Sequence, residues 1–215
     1  MRVGILGSGV VGQSLGRGFA GRGHEVVLGT RTPDSEKLAP WKREVGDRGR
    51  TGTFAQAAAY GEVLVVAVLG TAAEQAIDLA GPRSFDGKVV IDVTNPLDFS
   101  KGMPPGLFVG MTDSLGERIQ RKLPRAKVVK CFNIVNNQTM IDPSNTGTKP
   151  TMLLCGNDEG AKRKVTEILE QFGWDDVVDI GGIDGARWLE AHVPLWVRVT
   201  MQKNTWFLGF KVVHA

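Results

Sequence analysis

Six residues near the start of the chain, Gly7-Ser8-Gly9-Val10-Val11-Gly12, carry the spacing G-x-G-x-x-G. Such a run can hold a diphosphate with little more than backbone. Gly7 permits a tight turn, Gly9 lets a pyrophosphate approach the main chain, and Gly12 lets a helix pack close to the preceding strand. The motif alone is a weak signal. Here it follows the apolar run Arg2 to Leu6 and opens a stretch of helical character from Val10 to Ala20. That strand–turn–helix context favours a dinucleotide over an unliganded glycine turn. The new helix would point its free N–H groups and positive end at the phosphates.

The second place where chemistry is legible lies about twenty residues on. A site for NAD carries Asp or Glu at the end of the second strand, to bond the ribose 2′-hydroxyl. This chain has Gly29-Thr30-Arg31-Thr32 there. No carboxylate repels a 2′-phosphate, and Arg31 can pair with one through two donors while lying flat on adenine. Thr30 and Thr32 add hydroxyls, and Lys37 adds a charge from the next turn. The expected dinucleotide is therefore NADP(H). Three further strand ends, at Val68-Leu69, Thr94-Asn95-Pro96 and Phe132-Asn133, should line the nicotinamide, because ligands of open parallel sheets sit beyond the carboxyl ends of the strands. Asn95 and Asn133 could bond the carboxamide or the partner substrate; fixing their own turns is an equal alternative.

The elements that must position these residues follow from an alternation of short apolar runs with helix-length segments. Glu25 to Leu28, Val63 to Val68, Val89 to Val93 and Lys127 to Phe132 read as strands; Thr53 to Tyr60, Ala72 to Ala80 and Ser114 to Leu123 read as helices. Strands buried on both faces are continuously apolar, and the alternation predicts βαβ units around a doubly wound parallel α/β sheet of Rossmann type. Residues 1–141 are expected to form this dinucleotide-binding domain. The stretch Asp142 to Pro150, rich in turn-forming residues, is the linker candidate. Residues 142–215 are expected to add a small αβ and helical section completing the site: a strand at Thr151 to Cys155, a helix from Asp158 to Phe172 capped by Asp158, a strand at Val177 to Ile180, and a mostly helical end with Pro194 at a break or first turn.

Composition narrows the classes. The chain has 215 residues and a net charge of +3, too small to demand a nucleic acid or an anionic membrane surface. The basic group Arg118, Arg121, Lys122, Arg125 and Lys127 reads as a solvated face. No apolar run is long enough to span a bilayer, nothing resembles a cleaved leader, and a cytoplasmic location is expected. Two cysteines, Cys131 and Cys155, sit in apolar runs and indicate no disulfide framework. With three histidines they make no metal-site spacing. No His–carboxylate pair falls near the strand ends, so no catalytic side chain is assigned. Of the histidines, only His192 could reach the site; His24 lies in a turn and His214 beside the chain end.

Val3-Gly4-Ile5-Leu6-Gly7-Ser8-Gly9, Gly23-His24-Glu25-Val26 and Thr30-Arg31, with the later Lys130-Cys131-Phe132-Asn133 and Gly185-Ala186-Arg187-Trp188-Leu189-Glu190, resemble the NADPH-dependent coenzyme F420 reductases. The resemblance covers nearly the whole chain and is strongest over residues 1–135. It implies hydride movement between NADPH and a 5-deazaflavin. The same fold serves as the NADPH-oxidising module of membrane ferric reductases, where a flavin takes the hydride. The deazaflavin site cannot be matched residue by residue. Val135 and Asn137 are placed in it from position. Trp196, which opens the aromatic stretch Trp196, Trp206, Phe207 and Phe210, could cover the partner ring or form a homodimer face, against an alternative of ordinary packing.

Hydride transfer between two such rings needs stacking and orientation rather than a strong acid or base. An imine or β-hydroxy-acid reductase is a second reading. The hydroxy-acid type needs a Lys with an Asn one helical turn later, and here Asn204 follows Lys203 directly, with Phe207 at the turn spacing. The imine type needs a longer helical C-terminal domain. A third reading is an NADP(H) sensor without turnover, its nicotinamide face blocked.

Overall fold

Apolar residues alternate along the strands, and the alternation sends neighbours to opposite sides of one sheet. The computed structural model describes residues 1–213; His214 lies outside the described residues. The strands are β1 (Arg2–Leu6), β2 (Glu25–Gly29), β3 (Gly49–Gly52), β4 (Val63–Val66), β5 (Val89–Asp92), β6 (Leu97–Asp98), β7 (Gly106–Leu107), β8 (Lys127–Lys130), β9 (Met152–Gly156) and β10 (Val177–Asp179). The helices are α1 (Val10–Gly21), α2 (Ala39–Val45), α3 (Phe54–Tyr60), α4 (Ala73–Ala80), α5 (Leu115–Lys122), α6 (Asn137–Ile141), α7 (Glu159–Gln171) and α8 (Ala186–Lys203). Eight strands form one sheet in the order β10-β9-β8-β5-β4-β1-β2-β3, while β6 and β7 pair as a separate antiparallel ribbon.

The expected doubly wound sheet is present. Its strands run parallel except where β9 meets β8 antiparallel, pairing Val129 with Gly156 and Lys130 with Cys155. Val3, Ile5, Val63 and Val65 enter one core, with Leu15 and Phe19 of α1 and Val165 and Ile168 of α7. Leu6, Leu64 and Val66 enter the other, with Phe54 of α3, Ile77 of α4 and Ile119 of α5. Period-two alternation with both faces covered is the reason each run reads as continuously apolar.

The sheet continues across residue 142. Strands β9 and β10 extend it, and α7 and the start of α8 share the core of α1. Asp158 caps α7 through a bond from the Ala161 amide at 2.7 Å, as its position in sequence predicts. Two expectations change, and one element is new. Pro194 neither breaks nor begins a helix but lies inside α8; the bond it cannot donate is one among eighteen residues otherwise anchored by packing. The aromatic stretch is not one helix: Trp196 is in α8, whereas Trp206, Phe207 and Phe210 follow its left-handed cap at Asn204. The ribbon of β6 and β7, between β5 and α5, has no signature in the sequence pattern because each strand is two residues long.

The basic group on α5 and beyond is neutralised in place. Arg118 and Arg121 pair with Asp113 at 3.0 Å, Lys122 with Asp78, Arg125 with Asp86 and Lys127 with Asp158. Cys131 and Cys155 are free and buried. Burial pushes both thiols up, Cys155 to about 12, so neither is a thiolate at neutral pH. Among the described residues, no helix is long and apolar enough to cross a membrane.

Candidate functional site

At the carboxyl ends of β1, β2, β4 and β5 lies a cleft of about 990 Å³. It sits where the strand order reverses between β1 and β4, the expected ligand position in a doubly wound sheet. Gly7, Ser8, Gly9, Val10, Val11, Thr30, Arg31, Thr32, Val68, Leu69 and Asn95 line it, all of them expected from sequence.

The β1–β2 half is defined by side chains that are missing. Gly7 has a φ of +128°, and a Cβ there would lie 2.3 Å from the Ala67 carbonyl oxygen. A Cβ at Gly12 would lie 1.9 Å from the Gly7 carbonyl oxygen, so Gly12 is buried beneath the turn rather than in the cleft. Gly9 differs: a Cβ there would meet no atom within 4 Å. Nothing in the protein requires glycine at 9, and the space above it opens to the cleft. Helix α1 begins at Val10 with no side-chain cap and no acidic residue in its first turn, leaving its first amides and positive end for an anion. These features fit a diphosphate.

Beside them, Thr30 joins the two loops: its hydroxyl accepts from Ser8 Oγ at 3.0 Å and from the Thr32 amide at 3.4 Å. Arg31 is exposed and, among the described residues, makes no hydrogen bond or ion pair. Lys37 is also exposed, on the single turn Glu36–Leu38, but it does not reach the cleft.

The β4–β5 half is walled by apolar groups. Leu97 of the ribbon faces the cleft together with Phe99 and Phe108, which follow its two strands, and Leu69, 76% exposed. The ionisable residues lining the whole cleft are Arg31 and Asp98. Bonds from the Ser100 amide and side chain hold the Asp98 carboxyl below the usual carboxylate range, so it is ionised at neutral pH. No group in the lining is tuned to move a proton.

Asn133 lies behind the cleft. Its Nδ2 donates to Asn95 Oδ1 at 2.9 Å and to the Leu189 carbonyl at 3.0 Å, while Asn95 Nδ2 donates to the Asn133 carbonyl at 3.0 Å. Phe132, at φ 65°, holds the strained left-handed conformation that turns Asn133 toward Asn95. The three positions placed at a second ligand lie outside the cleft lining and make packing contacts, for Trp196 the alternative also open from sequence. Val135 is buried in the main core. Asn137 Nδ2 ties α6 to α1 through Ser14 Oγ at 2.7 Å. Trp196 is buried, its Nε1 donating to the Leu208 carbonyl at 2.8 Å. His192 does not line the cleft either; it packs edge-on against Phe210, and burial lowers its pKa.

Sequence reasoning missed the buried charges under this half. Lys130 is fully buried, with Nζ 2.9 Å from Asp92 Oδ2, 2.8 Å from Glu190 Oε1 and 2.5 Å from the Thr94 carbonyl oxygen. Burial works against its charge, but the two carboxylates outweigh this and raise its pKa. The available signal was a charged residue closing each of two apolar runs, Val89 to Asp92 and Lys127 to Lys130, which the sheet pairs in register.

Residues 2–96 match the family model described as NADP oxidoreductase coenzyme F420-dependent. A solved structure from Arthrobacter sp. FB24, provisionally described as an F420-dependent NADP reductase, superposes with a TM-score of 0.95 at 39% identity over 100% of both chains. The F420-dependent NADP reductase of Methanocaldococcus jannaschii is 26% identical over 100% of this chain and 99% of its own. Metalloreductase STEAP3 of Rattus norvegicus is 31% identical over 90% of this chain, which spans only 36% of that relative.

Proposed function

We propose, on the premise that this chain belongs to the family of coenzyme F420-dependent NADP oxidoreductases, that it moves hydride between NADP(H) and a planar acceptor ring, coenzyme F420 or a flavin. The observation that carries this reading is the cleft itself, with an open diphosphate cradle at one end, an apolar wall at the other and no tuned acid or base between them. When bound, the nicotinamide supplies the hydride. The chain's own residues bind, orient and shield.

Gly9 and the first amides of α1 take the diphosphate. Arg31 pairs with the 2′-phosphate, assisted by Thr30, Thr32 and Ser8. Val10, Val68 and Leu69 flank the dinucleotide, and Asn95 meets the nicotinamide end over β4 and β5. Leu97, Phe99 and Phe108 would supply an apolar wall for an acceptor ring and exclude water from the transfer. A carbonyl or imine substrate would need a proton donor at the reacting atom, and the lining supplies none. A sensor with a blocked nicotinamide face is disfavoured by the exposure of Leu69 and Phe99 on that side.

The test is a single turnover with NADPH deuterated at nicotinamide C4, prepared separately on each face. Mass spectrometry of the reduced F420 should find deuterium from one face only. Solvent-derived hydrogen from both preparations would contradict direct transfer.

A further inference from the structure

Resting on that functional reading, we infer that the buried Lys130–Asp92–Glu190 cluster is a positioning device for hydride transfer, fixing from behind the Thr94–Asn95 turn that floors the β4–β5 half of the cleft.

Every polar atom of the cluster is used. The three protons of Lys130 Nζ meet Asp92, Glu190 and the Thr94 carbonyl. Asp92 Oδ1 accepts from the Thr94 amide at 2.9 Å and from Thr94 Oγ1 at 2.7 Å. Glu190, from α8, accepts the Leu115 and Gly116 amides at 2.9 Å, so it also caps the start of α5. Two carboxylates and one ammonium leave one negative charge, which the positive end of α5 offsets. A cluster this buried is a poor device for stability, because apolar residues of similar volume commonly serve as well or better.

What it does fix is geometric. The N–H, hydroxyl and carbonyl of Thr94 are all held by the cluster. Asn95, the next residue, is held by Asn133, and Asn133 in turn by the Leu189 carbonyl beside Glu190. The orientations of both amides follow from their partners, since Asn133 Nδ2 faces two acceptors. Two successive cleft residues thus have their positions dictated by β8 and α8. Hydride transfer is steeply sensitive to such placement: an error of about 1 Å can cost on the order of a hundredfold.

Two variants of the full chain test this. Every partner of the Glu190 carboxylate is a donor, so Glu190→Gln keeps the shape but turns an amide nitrogen against one of them. Thr94→Val is isosteric and removes a single bond. Three quantities are read: NADPH affinity, the fluorescence anisotropy of the bound nicotinamide without any acceptor, and the single-turnover rate to F420 or FMN with its deuterium isotope effect. For Glu190→Gln, affinity should stay within about threefold while transfer slows roughly ten- to a hundredfold, with lower anisotropy and a larger isotope effect. Thr94→Val should show the same pattern, weaker. Folded variants with transfer within about twofold of wild type and unchanged anisotropy would overturn the inference, as would affinity falling in proportion to rate. If Glu190→Gln does not fold, Thr94→Val decides on the same readouts. A wild-type chain that does not bind NADPH overturns the functional reading; one that binds it but reduces neither acceptor leaves the anisotropy comparison to decide the positioning role.

Discussion

The two halves of the cleft are built on opposite principles. The β1–β2 half works by omission: glycines without side chains, a helix without a side-chain cap, and an arginine without a partner among the described residues. The β4–β5 half works by saturation, with Lys130, Asp92, Glu190, Thr94, Asn95 and Asn133 tied into buried bonds. The difference suits the two tasks. Phosphate binding needs donors left free and pointed at solvent, since an anion arriving there completes them. On the proposed function, hydride transfer needs a floor that does not move, and the Lys130 cluster beneath it is fully bonded before any ligand arrives, while Asn133 Oδ1 is buried without a partner among the described residues.

The sharpest way to break this comparison is to remove a support. Lys130→Met leaves two buried carboxylates without their cation and should cost about 3–5 kcal/mol of stability in urea titration. A midpoint close to wild type would mean that the saturated half is not under this constraint. In the open half, Gly9→Trp should lower stability by no more than about 1 kcal/mol, the loss of a favourable N-cap, since a Cβ there would meet no atom within 4 Å. Isothermal titration should show both NADPH and NADH weakened on the order of a hundredfold or more, because one or two charge-assisted bonds to the diphosphate, about 1.5–3 kcal/mol each, are displaced. Retained binding would remove the diphosphate assignment.

Arg31→Asp sharpens the contrast further. NADPH affinity should fall roughly ten- to a hundredfold while NADH affinity is kept or gained; equal weakening of both would contradict the 2′-phosphate role. The smallest effect is expected in acid. Glu117, beneath the saturated half, accepts from Arg187 Nε at 2.8 Å and from a second guanidinium nitrogen at 2.6 Å, and this pairing holds its carboxyl below its ordinary value of 4.5. The stability it contributes is fully present above pH 4.5 and is lost as the pH falls through the lowered value. In the Arg187→Met variant, the thermal midpoint at pH 6 should drop by roughly 2–4 °C, about 1 kcal/mol for a chain of this length, and the gap to wild type should narrow in acid.

The same contrast explains what was legible in the sequence. Features made by local spacing could be read directly: the glycine turn, the absence of a carboxylate near Arg31, and the apolar runs of the doubly wound sheet. Lys37 was placed at the phosphate from spacing, which gives proximity along the chain but not direction, and the structure leaves it outside the cleft lining. Val135, Asn137 and Trp196 were placed by position in a pattern, which cannot separate a residue that faces a ligand from one that packs behind it; the burial of Trp196 agrees with the packing alternative. The charged cluster joins Lys130 to residues 38 and 60 positions away, and only the register of β5 with β8 and the docking of α8 bring them together. The ribbon with Phe99 is held by two-residue strands that no periodicity announces. Asn133, expected at the ligand, lies outside the cleft lining and bonds to Asn95.

The most direct test of the account is NADPH oxidation, followed optically, with F420, FMN and FAD each offered as acceptor. The account predicts turnover with F420 or a flavin, and loss of that turnover at low NADPH in the Arg31→Asp variant. Tight NADPH binding with no oxidation in the presence of any of the three would contradict it.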